Sequence, residues 1–185
     1  MKVILNCLPP ARIDTPSAAL SVLKAHLVNN GIEARVVYWN IILDGVLPSF
    51  ERDTDMIHFD LLPYLYLFAG EQDDRIAEAR ANAYVKAELP GRDILNDNSD
   101  YLGGAGKIIG ERIEEELSRH SPDEGLLFGI SCRYEQWIPG MVLAGYVKRR
   151  FADVKVVIGG LGNRDRATAV MKMCGLFDFA IWGEG

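Results

Sequence analysis

The sequence is poor in the residues that mark most recognisable chemistries. It holds three cysteines, Cys7, Cys132 and Cys174, far apart and with no Cys-x-x-Cys spacing. Neither a disulfide framework nor a zinc ribbon is expected, and a reducing cytosol is the simplest compartment. Its three histidines, His26, His58 and His120, include no pair at metal-ligand spacing, so no metal centre is expected. No Gly-Lys-Ser/Thr triplet exists for a phosphate loop. An excess of base is also lacking: 20 Lys and Arg against 26 Asp and Glu leave a formal charge of −6, which disfavours a nucleic-acid partner. Long hydrophobic runs are missing too. Val3-Ile4-Leu5 is too short for a signal peptide. The densest apolar stretch, Phe59 to Ala69, contains Asp60 and falls well short of the ~20 residues of a membrane crossing.

What is present is an ordinary globular balance of 49% apolar and 25% charged residues in 185 positions, enough for one full-sized domain. The patterning is that of an α/β protein. Val3-Ile4-Leu5 reads as a buried strand. Thr15-Pro16 supplies a cap and a first helical proline, Leu20, Leu23 and Leu27 recur at helical spacing, and Gly31 stops the helix. Ala34 to Trp39 is a second strand. Later come a strand at 126–130, a helix from Ile138 to Arg150 and a strand from Val154 to Ile158. A helix with Ala167, Val170, Met171 and Cys174 on one face and a strand from Phe177 to Trp182 follow. Five strands alternating with helices imply a flavodoxin-like, doubly wound parallel sheet of order 2-1-3-4-5.

A mostly helical insertion is expected between the second and third strands, at about 41–106. It holds the aromatic and aliphatic stretch Phe59 to Phe68, an alanine-rich helix near Asp73 to Leu89, and a loop rich in Gly, Asn and Asp from Pro90 to Gly106. A helix from Lys107 to His120 then returns to the sheet, with Ile109, Ile113 and Leu117 inward and Glu111, Glu114 and Glu115 outward. The Phe59–Phe68 stretch suits either the insertion's own small core or contact with a partner domain or a second subunit, a homodimer through the insertion included.

Open parallel sheets bind ligands beyond the carboxyl ends of their strands. The unusual residues fall there. The loop after strand 1 holds Cys7, Pro9, Pro10 and Arg12. The loop after strand 3 is Ser131-Cys132-Arg133-Tyr134-Glu135-Gln136-Trp137. Strand 4 ends in Gly159-Gly160-Leu161-Gly162, and strand 5 in Gly183-Glu184-Gly185. Paired glycines let a ligand approach the backbone closely, although Gly159 and Gly160 could simply turn the chain and Ser131 could cap the following turn. Cys7 and Cys132 read as small semi-buried residues rather than nucleophiles. Two dinucleotide-like glycine patterns fail. Gly104-x-Gly106-x-x-x-Gly110 follows no convincing strand, and Asp165 occupies the third glycine position after Gly160-x-Gly162. A flavin phosphate is poorly served by Pro9-Pro10, which lack N–H donors. A receiver domain would need acidic residues where Asn6 and Cys7 stand.

These residues in this order resemble the cobalamin-binding domains that precede radical S-adenosylmethionine enzymes. The first part of the likeness is Pro9-Pro10, Thr15-Pro16-Ser17-Ala18-Ala19-Leu20 and Leu23-Lys24-Ala25-His26-Leu27 with Gly31. The more specific part is Gly129-Ile130-Ser131, a helix ending in Lys148, Val156-Val157-Ile158-Gly159-Gly160, Asp178, and Gly183-Glu184-Gly185. It covers about 120 residues and is weak across 41–106. The resemblance implies cobalamin over the carboxyl edge of the sheet, with its nucleotide tail beside Ser131, Gly159 and Gly160. Cys132, Arg133, Leu161, Glu184, Pro9 and Arg12 would line the same edge. The loop from Asn6 to Asp14 lacks the Asp-x-His-x-x-Gly of methionine-synthase-type transferases, so binding would be histidine-independent. The three-cysteine run for an iron–sulfur cluster is absent. The cluster, S-adenosylmethionine and catalysis are therefore expected in a radical domain downstream, the partner of this one. The full enzyme would be a methyltransferase, a tetrapyrrole cyclase or a ribosomal-peptide-modifying enzyme. The alternative is a docking domain with the same fold and no cobalamin.

Overall fold

The computed structural model describes residues 1–9, 14, 16–44, 94–121, 125–133, 136–151 and 153–183. Among the described residues the elements are, in order, β1 (Lys2–Cys7), α1 (Ala18–Asn29), β2 (Glu33–Tyr38), α2 (Trp39–Asp44), α3 (Ile94–Leu117), β3 (Leu126–Ser131), α4 (Trp137–Arg150), β4 (Lys155–Leu161), α5 (Arg164–Cys174) and β5 (Phe179–Trp182). All neighbouring strands pair in parallel, and the sheet order is β2-β1-β3-β4-β5. The doubly wound sheet expected from the sequence is thus the architecture observed. The insertion between β2 and β3 is present and helical at both described ends. Its Phe59–Phe68 stretch and the helix near Asp73 to Leu89 lie outside the described residues.

The order dictates where the helices sit. The chain moves from β1 to one side to make β2, then crosses to the other side for β3, β4 and β5. Right-handed crossovers therefore put α1 on one face and the later helices on the other. The burial pattern agrees. Phe128, Ile130, Val156 and Ile158 are buried with Ile109 and Ile113 of α3, Leu143 and Val147 of α4, and Ala167 and Val170 of α5. On the opposite face Val3, Leu5 and Cys7 pack with Leu20 of α1 and Ala34 of β2.

Several boundaries differ from the sequence expectation, for physical reasons. Trp39 is not the end of β2 but opens α2, because its indole is buried and bonded to the sheet. The cap of α1 is Ser17, whose hydroxyl accepts from the Leu20 N–H at 3.3 Å; Thr15 lies outside the described residues. The stretch 94–106, read as loop from its Gly, Asn and Asp content, belongs to α3. Ala105, Gly106 and Gly110 are buried there, so small residues let this helix pack closely and tertiary contact overrides a weak local propensity. Gly104, Gly106 and Gly110 lie inside a helix, which removes the strand-to-helix turn that a dinucleotide site needs. The later part of α3 faces as expected, with Ile109, Ile113 and Leu117 buried and Glu111, Glu114 and Glu115 exposed.

Two charged clusters fasten the amino ends of the strands. Asp178 accepts from Lys148 Nζ at 2.6 Å, from the Val156 N–H at 2.8 Å and from Lys155 Nζ at 3.2 Å. The Lys148 and Asp178 of the family resemblance therefore pair with each other, at the edge of the sheet away from the candidate site. Burial works against the Asp178 charge, but the Lys148, Val156 and Lys155 hydrogen bonds outweigh it and hold the pKa at about 2. On the other side of the sheet's base, His120 is buried edge-on to Phe128, with Nε2 3.6 Å from Glu116 Oε1. Glu116 in turn faces Arg35 at 2.7 Å and Arg119 at 2.8 Å. Burial lowers the His120 pKa, Lys2 and Arg35 push it the same way, and Glu116 opposes them.

The two clusters give acid unfolding two windows. His120 binds a proton less readily folded than unfolded, so stability falls as pH drops below about 6.5. Asp178 contributes on the order of 2 kcal/mol above its unfolded pKa, and this is lost as pH falls from 3.8 towards 2. Urea titrations from pH 8 to pH 2 should resolve both steps. His120→Gln should flatten only the upper one and Asp178→Asn only the lower one; a wild-type profile flat between pH 8 and pH 5 would contradict the assignment of His120.

Candidate functional site at the carboxyl ends of the strands

The loops after β1, β3 and β4 meet at the top of the sheet. Gln136 joins the first two. Its side-chain amide donates to the Leu8 carbonyl, its Oε1 accepts from the Arg133 N–H at 2.8 Å, and its own N–H donates to the Arg133 carbonyl at 3.3 Å. Gln136 is buried, so the gap between the loops after β1 and β3 is bridged by a satisfied polar side chain. Below it, Asn6 is fully buried. Asn6 Oδ1 accepts from Trp39 Nε1 at 2.9 Å, and its amide donates to the carbonyls of Ile4 and Gly129, each at 3.1 Å. Sequence reasoning missed both roles. A lone amide in the apolar run Val3-Ile4-Leu5-Asn6-Cys7-Leu8 was the available signal for Asn6; nothing local distinguished Gln136.

Of the residues singled out from the sequence, Ser131, Cys132, Gly159 and Gly160 are brought together. Ser131 pairs with Gly159 in the β3–β4 register, and the Cys132 N–H donates to the Gly159 carbonyl at 2.7 Å. Both residues lie on the α1 side of the sheet, since Ile130 and Ile158 beside them point into the opposite core. The side chains of Cys132 and Leu161 are not with them: both are buried in that opposite core. Pro9 is half-buried just past Leu8, and Arg133 is exposed. Arg12 and Glu184 lie outside the described residues.

The three glycines at these strand ends have three different surroundings. A Cβ on Gly129 would lie 2.9 Å from Leu5 Cδ2, so the Leu5 side chain occupies that space. A Cβ on Gly160 would lie 2.9 Å from the Cys132 carbonyl oxygen, and Gly160 has φ +84. It sits where the β4–β5 register shifts between Ile158 and Leu161. Gly160 is therefore required by the protein's own backbone. Among the described residues a Cβ on Gly159 would meet nothing closer than Ile181 Cβ, at 4.0 Å, and so Gly159 leaves room beside Ser131 on the α1 side of the sheet.

Nucleophilic chemistry has little support here. Cys7 and Cys132 are both buried, and burial pushes the Cys7 thiol upward, away from the thiolate. Among the described residues no group of three or more His, Cys, Asp or Glu side chains could hold a metal ion. No helix among them is long and apolar enough to cross a membrane. The chain matches no family model, no curated protein and no solved structure in the comparisons made.

Proposed function

We propose that this chain is the cobalamin-binding domain of a larger cobalamin-dependent radical S-adenosylmethionine enzyme. The iron–sulfur cluster and S-adenosylmethionine would belong to a separate domain of that enzyme. The observation that supports the reading best is the open space at Gly159, flanked by Ser131, at the carboxyl end of the inner strands and on the side that, among the described residues, carries only α1. The residues present fit the group there: a hydroxyl to bond a nucleotide tail and a glycine with no side chain to obstruct it. The Gln136 bridge directs such a tail over β3 and β4 rather than between the loops after β1 and β3. When bound, cobalamin supplies a cobalt centre able to carry a methyl group or support radical chemistry. This chain's own part is to hold and orient it.

Titrating hydroxocobalamin into the purified chain, followed by the visible corrin bands, tests this. Saturable binding at micromolar concentration is expected. Gly159→Phe should weaken binding by roughly a hundredfold or more (above ~2.7 kcal/mol) while leaving the unfolding transition nearly in place, because among the described residues a Cβ there meets only Ile181 Cβ, at 4.0 Å. A folded chain with no spectral change at high micromolar cofactor would refute the reading.

A further inference from the structure

The turn that joins α1 to β2 holds a chemically labile pair. Asn30-Gly31 is the one Asn-Gly step in the sequence. A glycine after asparagine presents a backbone nitrogen that no side chain shields, so it is the least hindered nucleophile for the neighbouring side-chain amide. Both residues are exposed. Among the described residues nothing stands within 4 Å of where a Gly31 Cβ would lie. The step lies at the amino end of the sheet, away from the candidate site.

The turn is also tightly closed. The Gly31 N–H donates to the Val28 carbonyl and the Ile32 N–H to the Leu27 carbonyl, each at 3.0 Å, with Gly31 at φ +73. This crossed pair of bonds is the Schellman closure of a helix. Leu27 and Ile32, whose contact accompanies that closure, both pack against the α1-side core. The Asn30 side-chain amide donates to the His26 carbonyl at 2.8 Å. Closing a succinimide ring needs the Gly31 nitrogen eclipsed with Asn30 Cβ. At ψ 19 that nitrogen lies close to eclipsing Asn30's own nitrogen instead. Ring closure therefore needs a rotation about ψ that breaks the Gly31 and Ile32 bonds.

We infer that Asn30 is a site of spontaneous deamidation in this chain, gated by local opening of the α1–β2 turn rather than by unfolding of the domain. In the open turn the Gly31 nitrogen bonds to Asn30 Cγ and gives up its proton. The Cγ–Nδ2 bond breaks, the departing amide nitrogen takes up a proton and leaves as ammonia, and a succinimide remains. Water then opens the ring at either carbonyl, giving aspartate or isoaspartate. Either product loses the Nδ2 donor to His26 and puts a carboxylate at the negative end of the α1 dipole. The isoaspartyl product also routes the backbone through Cβ, which lengthens the turn and displaces its crossed bonds. The inference does not rest on the cofactor reading.

Peptide mapping by mass spectrometry, after incubation of the cofactor-free chain at neutral pH, reads loss of the Asn30 amide. A peptide from Val28 to Arg35, too short to hold a helix, gives the ungated rate. The folded chain should lose the amide at least about tenfold more slowly, the ratio being set by the fraction of time the turn is open. Ile32→Ala removes the contact across the turn and should speed the loss several-fold in the chain while leaving the peptide rate unchanged. Asn6→Leu weakens the buried centre of the sheet instead and should leave the rate at Asn30 near that of wild type, with circular dichroism showing both variants folded. Equal rates in chain and peptide would overturn the inference, as would an Ile32→Ala chain no faster than wild type. So would acceleration by Asn6→Leu as large as that by Ile32→Ala, which would place the gate in global unfolding.

Discussion

Asn6→Leu should lower the stability of this protein by about 2–4 kcal/mol, a drop in melting temperature of roughly 5–15 °C for a domain of this size. Leucine matches asparagine in bulk, so little of the loss comes from a cavity. It comes from the Trp39 indole N–H, which donates to Asn6 Oδ1 at 2.9 Å in a fully buried setting and would lose its acceptor. It comes also from the two 3.1 Å bonds that the Asn6 amide makes to the Ile4 and Gly129 carbonyls. A second substitution separates these contributions. Trp39→Phe in the Asn6→Leu background removes the stranded donor, and the double variant should recover on the order of 1 kcal/mol relative to simple addition of the two losses. Strict additivity in urea titrations would show that the indole bond contributes nothing.

Gly160→Ala should cost a similar amount, about 2–4 kcal/mol, for a different reason. Part is the left-handed backbone at φ +84, which penalises any residue with a Cβ by roughly 1–2 kcal/mol. The rest is collision with the Cys132 carbonyl oxygen 2.9 Å away, which only a backbone shift can relieve. Two other glycines serve as controls. Gly31 has φ +73 with nothing within 4 Å, so Gly31→Ala isolates the conformational part. Gly162 has neither constraint, so Gly162→Ala should be close to neutral. If chemical denaturation ranks Gly160→Ala no worse than Gly31→Ala, the close approach to Cys132 has no energetic weight.

The sheet order could be read before any coordinates because each β-α-β step writes itself locally: an apolar run, a capped helix, a glycine stop, another apolar run. Residues 94–106 could not be read that way. Their Gly, Asn and Asp content describes a loop to any local rule, and only the buried packing of Ala105, Gly106 and Gly110 makes them helix. The site divides similarly. That Ser131 and the Gly159-Gly160 pair sit at strand ends followed from pattern alone. Which glycine is open and which is filled did not, because it depends on the register shift between Ile158 and Leu161, a property of how β4 meets β5. The resemblance puts Leu161 along the site's edge, but the same shift leaves its side chain in the opposite core.

The sheet's middle seam also has a history in time. On the ribosome, β1 acquires its first neighbour once Tyr38 has been made, but its second begins only at Leu126. Asn6 and Gly129, which hydrogen-bond across that seam, are 123 positions apart. The entropy of closing so long a loop grows only logarithmically with its length, yet non-local pairings of this kind form late in folding. Until Gln136 emerges, the Leu8 carbonyl has no side-chain amide to accept from. A nascent chain therefore carries one edge of β1 unsealed until β3 has emerged.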